Sequence, residues 1–161
     1  MMPDSPRVVG LISDTHGLVR PDVHTALAGV DLILHAGDVG GDEILDELAL
    51  IAPVRAVYGN TDAPGQPRLT TSIDVELGGV SVHVSHGHEV GSPTPAKLLA
   101  RYNADVIIYG HTHKPMIARA DTRWVVNPGA AGPRRFDILP SVAKMAIRDG
   151  KVDVTLVELA P

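Results

Sequence analysis

Apolar residues fall along the chain in short runs, and the early runs stop abruptly at polar clusters. Val8-Val9-Gly10-Leu11-Ile12 reads as a buried strand, because an unbroken apolar run of this length fits a strand covered on both faces. A helix from Pro21 to Ala28 follows, with proline at the first position, where its missing N–H costs nothing. Asp31 to His35 is a second strand. Asp42 is placed to cap a helix running to about Leu50, with Ile44, Leu45 and Leu48 on its apolar face. Val54 to Tyr58 is a third strand. This β-α-β-α-β order predicts parallel strands joined by right-handed crossovers.

The period changes after Pro64-Gly65-Gln66-Pro67, which reads as a surface loop. Ile73, Val75, Leu77 and then Val80, Val82, Val84 alternate strictly on either side of Gly78-Gly79, the pattern of a hairpin with one buried face. A helix from about Pro95 to Tyr102 and a strand from Asp105 to Tyr109 come next. Met116 to Ala120, Trp124 to Asn127 and a hairpin across Asp149-Gly150 complete the strands. Mixed strands with helices predict two packed sheets with helices outside, a four-layer α/β/β/α sandwich with two mixed β-sheets. No linker, repeat or low-complexity segment divides the chain, so residues 1–161 are expected to form a single domain.

Composition narrows the function. Hydrophobic residues are 44% and aromatic residues only 3%, so the core must be built from Val, Leu, Ile and Ala. With no cysteine, disulfides, thiolate nucleophiles and Cys-type zinc sites are excluded. The N-terminal stretch has no apolar signal-peptide core, and no apolar run approaches the roughly 20 residues of a membrane helix. A cytoplasmic protein without a membrane partner is therefore expected. A formal net charge of -5 with no Lys/Arg run argues against a broad nucleic-acid surface.

The candidate chemistry lies where the apolar runs stop. Five clusters follow apolar strands: Asp14/His16, Asp38, Asn60/Asp62, His86/His88 and His111/His113. On extended backbone Asp14 and His16, two residues apart, would leave the same side of the chain. Ligands of open α/β folds bind beyond the carboxyl ends of the strands, so parallel neighbours would turn these clusters toward one another. Carboxylate and amide oxygens with imidazoles suit Mn, Fe, Co, Ni or Zn. They are too many for one four-coordinate ion and a reasonable number for two sharing a bridge. Gly37, Gly59, Gly87 and Gly110 beside the clusters would allow backbone to crowd the ions.

The ordered set Asp14-x-His16, Gly37-Asp38, Gly59-Asn60, His86-Gly87-His88 and Gly110-His111-x-His113 resembles the calcineurin-like metallophosphoesterase superfamily. Within it, the chain is similar to the small prokaryotic YfcE-type phosphodiesterases over residues 8 to about 135. The resemblance implies two divalent ions, manganese first among them, bridged by Asp38. Asp14, His16 and His113 would complete one protein shell, and Asn60, His86 and His111 the other. It further implies a hydroxide between the metals that attacks phosphorus in line. His88 would lie near the phosphate or behind the ligands on the strength of the resemblance, and otherwise simply fills its loop. Many relatives carry His directly after the Asn; here Thr61 stands in that place. A hydroxyl is a poor general acid, so weak action on alkyl monoesters and better action on activated diesters is expected. Asp62 is left to orient a ligand or donate a proton.

The other polar residues have plainer readings. His35 is expected in a hydrogen-bonded structural role, His83 on the polar side of its strand or between layers, and His24 in solvent. Asn127-Pro128-Gly129 fits a turn. Arg134 and Arg135 could meet a phosphate, although such pairs are ordinarily solvated. The expected partner is a small phosphoester, with a homodimer or homotetramer built on exposed hairpin edges as the oligomeric alternative to a monomer. Two rival functions remain. One is a non-catalytic protein-binding scaffold similar to the retromer subunit of this fold; the other is a nuclease, disfavoured by the net charge of -5.

Overall fold

The computed structural model describes residues 7–63, 65–134 and 137–160. Its strands are β1 (Arg7–Ile12), β2 (Leu32–His35), β3 (Val54–Val57), β4 (Leu69–Thr70), β5 (Ile73–Leu77), β6 (Val80–Val84), β7 (Val106–Ile108), β8 (Met116–Ala120), β9 (Arg123–Asn127), β10 (Ser141–Arg148) and β11 (Lys151–Glu158). Its helices are α1 (Pro21–Ala26), α2 (Asp42–Ala49) and α3 (Pro95–Arg101), with a short 3₁₀ turn at His88–Val90. One sheet has the order β11-β10-β1-β2-β3-β4 and the other β5-β6-β7-β9-β8. Strands β1, β2, β3 and β4 run parallel, while β10 pairs antiparallel with both β1 and β11. In the second sheet β6, β7 and β9 are parallel and the edge strands β5 and β8 antiparallel.

Strand alternation builds the layers. In β1, Val9 and Leu11 point between the sheets, where they meet Val82, Val84, Val106, Ile108, Val126, Met145 and Ile147. Ile12 leaves the other face and packs with Val23 and Leu27 around α1 and with Leu45 and Leu48 of α2. A third cluster, Leu98, Ile107, Tyr109 and Val125, seats α3 on the outside of the second sheet. The result is the predicted α/β/β/α sandwich. The two glycines of the Gly78-Gly79 turn have φ of 55° and 82°, and Asp149-Gly150 has 51° and 75°. Both pairs are left-handed, as tight two-residue hairpin turns require.

Several boundaries differ from the sequence reading. Helix α1 stops at Ala26 instead of Ala28, and Gly29 with φ 82° turns the chain back. Asp42 does not cap α2. It is the first helical residue, and Gly41 stands before it with φ 132° and no side-chain bond. Part of the stretch after Pro67 is the two-residue strand β4, held parallel to β3; it is too short to leave a periodic signal. Of the predicted surface loop, Pro64 lies outside the described residues. His83 does leave the face opposite Val82 and Val84, but that face is covered. The ring is buried, stacked on Tyr102 with centroids 3.8 Å apart, and Nδ1 meets Asp74 Oδ1 at 2.8 Å. His24 is half-exposed and paired with Glu47 at 2.8 Å. Among the described residues no helix is long and apolar enough to cross a membrane.

Candidate metal centre

The parallel strands β1, β2 and β3 of one sheet and β6 and β7 of the other all end on the same side of the sandwich. All five polar clusters are carried there. The loop after β1 runs alongside the loop after β2 as if the ladder continued: Asp14 N donates to Gly37 O at 2.9 Å, His16 N to Asp38 O at 2.9 Å and Gly17 N to Val39 O at 3.0 Å. Asp14 and His16 do not converge through extended backbone, as the sequence suggested. Both are left-handed, with φ of 53° and 46°. Among the described residues, seven non-glycine positions have positive φ, and five of them are Asp14, His16, Asp38, His111 and His113. Such conformations each cost about 1–3 kcal/mol and persist only where the surroundings impose them. Their concentration at one place marks a site held in a fixed shape.

Two groups of donors form. In one, His16 Nε2 and His113 Nε2 lie 3.4 Å apart, and each approaches Asp14 Oδ1, at 3.6 and 3.4 Å. In the other, His86 Nε2 lies 3.2 Å from Asp38 Oδ2 and 3.8 Å from Asp14 Oδ1. His16 Nε2 also stands 3.6 Å from Asp38 Oδ2, which joins the groups. Asn60 and His111 flank them, with Oδ1 and Nδ1 3.2 Å apart, and the His111 ring centroid is 5.1 Å from that of His86. His88 belongs to neither group. It is exposed at the start of the 3₁₀ turn, its ring centroid 5.3 Å from His86 and 6.1 Å from His111.

The donor set fits divalent cations. His86 Nδ1 faces the carbonyl of Ala36 at 2.8 Å, and a carbonyl only accepts, so Nδ1 carries the hydrogen. Nε2 of the neutral ring is then a lone pair aimed at a carboxylate. Asp14 Oδ1 and His86 Nε2 are both buried and without a hydrogen-bond partner. Acceptors turned on one another at 3.2–3.8 Å are unfavourable unless a cation lies between them. Donor bonds of about 2.1 Å to one ion imply donor–donor separations of roughly 3–3.5 Å. The 3.2–3.8 Å spacing within the groups is close to that range.

Local charge agrees. Burial pushes the Asp14 carboxyl up, but the approaches of His113 and His16, the charge of His86 and the Ser13 hydroxyl outweigh it and hold Asp14 well below the ordinary carboxylate range. Asp38 is likewise lowered, burial being overcome by His86 and the Thr61 N–H. His86 is raised, because the two carboxylates outweigh its burial. His111 is lowered by burial and then by the charge of His86. Both carboxylates are therefore anionic at neutral pH, and the same pair of negative charges that raises His86 would favour a divalent ion beside it.

The supporting residues are closely fitted. Asp14 Oδ2 accepts from Ser13 Oγ at 2.6 Å and from His111 N at 3.1 Å, and Asp38 Oδ1 accepts from Thr61 N at 2.9 Å. A Cβ at Gly59 would fall 1.9 Å from Asp38 Oδ1, and one at Gly110 would fall 2.0 Å from Ser13 Oγ. A side chain at either position would have to displace Asp38 or Ser13. The Asp62 carboxylate accepts from the N–H groups of Val39, Gly40 and Gly59 at 2.8–3.2 Å, so it clasps the loop after β2 to the loop after β3. Asn127, which the sequence offered only as a turn residue, is buried. Its Nδ2 donates to Gly110 O at 3.2 Å and Thr112 Oγ1 at 3.0 Å, steadying the loop that carries His111 and His113. The one signal available was an asparagine ending a buried apolar run on the side where the other clusters lie. Arg134 shares a narrow crevice with His113; Arg135 lies outside the described residues.

Residues 8–150 match the family model of the calcineurin-like phosphoesterase superfamily domain. A probable metallophosphoesterase of Methanothermobacter thermautotrophicus is 35% identical over 159 residues, covering 93% of this chain and 91% of its own. A phosphodiesterase of Methanocaldococcus jannaschii is 29% identical over 139 residues, covering 75% and 82%. In backbone shape the chain is similar to vacuolar protein sorting 29 of Cryptosporidium parvum, with a TM-score of 0.81 at 24% identity over 98% of this chain and 100% of that one.

Proposed function

The chain belongs to the calcineurin-like phosphoesterase superfamily, and from that premise we propose that it is a phosphodiesterase using two divalent ions, manganese first among them. The carrying observation is the pair of buried, unpartnered acceptors, Asp14 Oδ1 and His86 Nε2, around which Asp38, His16 and His113 converge. In this reading Asp14, His16 and His113 hold one ion, His86, Asn60 and His111 the other, and Asp38 reaches both. Divalent ions held there acidify water and offset charge on phosphoryl oxygens.

The chain's own residues set the scope of the reaction. Asn60, His111 and His88 stand on the open side, where a phosphoryl group enters, and His88 is the exposed ring free to contact it. Thr61 is a poor proton donor to a leaving group, since a hydroxyl holds its proton far above neutral pH and the Thr61 N–H serves Asp38. We assign Asp62 a positioning role, because its oxygens are committed to three backbone N–H groups. A site with no proton donor beside the leaving oxygen favours diesters whose leaving group departs unaided, such as activated aryl diesters, over alkyl monoesters.

The test is hydrolysis of bis-(p-nitrophenyl) phosphate by chelator-stripped protein, with and without Mn²⁺, beside Asp38→Ala. Metal-dependent turnover that the substitution abolishes supports the reading. A folded protein inactive with every divalent metal would point instead to a protein-binding scaffold, the reading that the fold's likeness to vacuolar protein sorting 29 keeps in view.

A further inference from the structure

We propose that the cavity between the loops after β2 and β3 is a binding subsite for one ester arm of the substrate, and that it selects a neutral, planar arm of aryl or nucleoside type. The inference rests on the phosphodiesterase reading above and adds a substrate class to it. The cavity holds about 300 Å³ and lies at the start of α2, with Val39, Leu45 and Leu69 as apolar wall and Thr61 and Gln66 as polar groups.

Its position ties it to the metal centre. Val39 and Thr61 in its lining directly follow Asp38 and Asn60 in the chain, so its wall is built from the same two loops that carry those candidate ligands. The Asp62 clasp lies in its wall and fixes the distance between the two loops. The loop after β3 is held in turn by the Tyr58 hydroxyl, which donates to Gln66 O at 2.9 Å. Gly40 and Gly41 leave bare backbone in the lining. A Cβ at Gly40 would fall 2.1 Å from Gly17 N, so that part of the wall cannot be filled by a side chain.

Chemistry selects the arm. Among the described residues no cationic side chain lines the cavity, and its charged members are Asp42 and Asp62. Arg68, the cation on that loop, is already engaged by the Asp46 carboxylate at 2.8 Å and the Asp42 carbonyl at 3.4 Å. The positive end of α2 is offset by Asp42 and Glu43 in its first turn. A second phosphate or a carboxylate therefore finds no partner here. An apolar wall with an amide and a hydroxyl at its edge suits a flat, uncharged group that carries a few hydrogen-bonding atoms.

Three diesters with a common p-nitrophenyl leaving group test this: the methyl, the phenyl and the thymidine 5′ ester. The Mn²⁺-loaded wild type is expected to favour the phenyl and thymidine esters over the methyl ester by at least about tenfold in kcat/KM. Gln66→Trp, which fills the cavity from its edge, should erase that preference and leave the methyl ester within about twofold. In metal-free protein, where no turnover intervenes, thymidine 5′-p-nitrophenyl phosphate should shift the amide resonances of Gly41, Leu45 and Leu69, and less so in Gln66→Trp. Turnover of all three esters at equal efficiency, or equal losses for all three in Gln66→Trp, would overturn the subsite while leaving the phosphodiesterase reading intact. No turnover of any ester with any divalent metal would overturn both.

Discussion

Replacing His35 by glutamine should remove a pH dependence that the buried ring imposes on folding. His35 lies fully buried behind the candidate metal centre, and its tautomer follows from its partners. The Thr15 hydroxyl donates to Val39 O at 2.7 Å, so its oxygen is left to accept from His35 Nε2–H at 2.9 Å. Nδ1 then accepts from the Gly37 N–H at 3.1 Å, and a second proton there would face a donor. Burial lowers the His35 pKa to about 4 from 6.5, against the raising charges of Asp14, Asp62 and Asp38. The unfolded chain takes up a proton near pH 6.5, and the folded chain refuses it until about pH 4. Stability from this group is therefore full above pH 6.5 and lost as the pH falls through that window. Integrated from about pH 8 to about pH 5 the loss is about 2 kcal/mol. At a slope of ~2 kcal/mol/M, it moves a urea midpoint by about 1 M. Urea unfolding of chelator-stripped wild type and His35→Gln, followed by circular dichroism from about pH 8 to about pH 5, isolates the contribution, because the titrating carboxylates are common to both. The wild type's advantage should shrink by that amount on acidification. A constant gap, or one that widens, would refute the neutral buried ring.

Three other perturbations probe the centre. Gly59→Ala drives a Cβ to 1.9 Å from Asp38 Oδ1; calorimetric titration with Mn²⁺ should find affinity lower by at least about tenfold, one second-coordination defect being worth 10–100-fold, and unchanged affinity would mean that Asp38 has room to move. Asn127→Ala leaves the Gly110 carbonyl and the Thr112 hydroxyl short of a donor; a stability loss of about 1–3 kcal/mol is expected in denaturant titration, and a loss below about 0.5 kcal/mol would remove Asn127 from the supporting frame. Thr61→His restores an imidazole beside Asn60; if leaving-group protonation is the missing element, alkyl monoester turnover should rise by about 10²-fold or more, whereas equal rises on activated diesters would point to some other effect.

The layers of this fold were legible because each strand carries its own evidence. Val9 and Leu11 face one way and Ile12 the other, and the Gly78-Gly79 and Asp149-Gly150 turns announce their hairpins. The gathering of Asp14, His16, Asp38, His86, His111 and His113 was legible from parallel order alone, since parallel strands bring their ends to one side. What escaped depends on contacts between distant segments. The left-handed backbone of Asp14 and His16 is imposed by bonding to the Gly37–Val39 loop, which no local pattern reports. The burial of His83 depends on Tyr102, nineteen residues further along the chain, and the Asp62 clasp on N–H groups more than twenty residues earlier. The supporting role of Asn127 left only a faint trace, its place at the end of a buried apolar run, because a buried asparagine and a turn asparagine look alike in one dimension.

The pairing of β1 with β10 sets an order of events during synthesis. β1 leads into the loop that holds Asp14 and precedes the other described strands, yet one of its edges is closed only when Arg7 meets Ile147 and Leu11 meets Ala143. Until the last hairpin emerges, a flat apolar edge rich in valine, leucine and isoleucine stays open to any other strand. Every candidate metal donor, from residue 14 to residue 113, is already present in that interval. A nascent chain can thus meet metal before its sheet is complete, and it is most prone to mispair with its neighbours at that stage. Closing the sheet is the task of the β10–β11 hairpin, which carries none of the candidate donors.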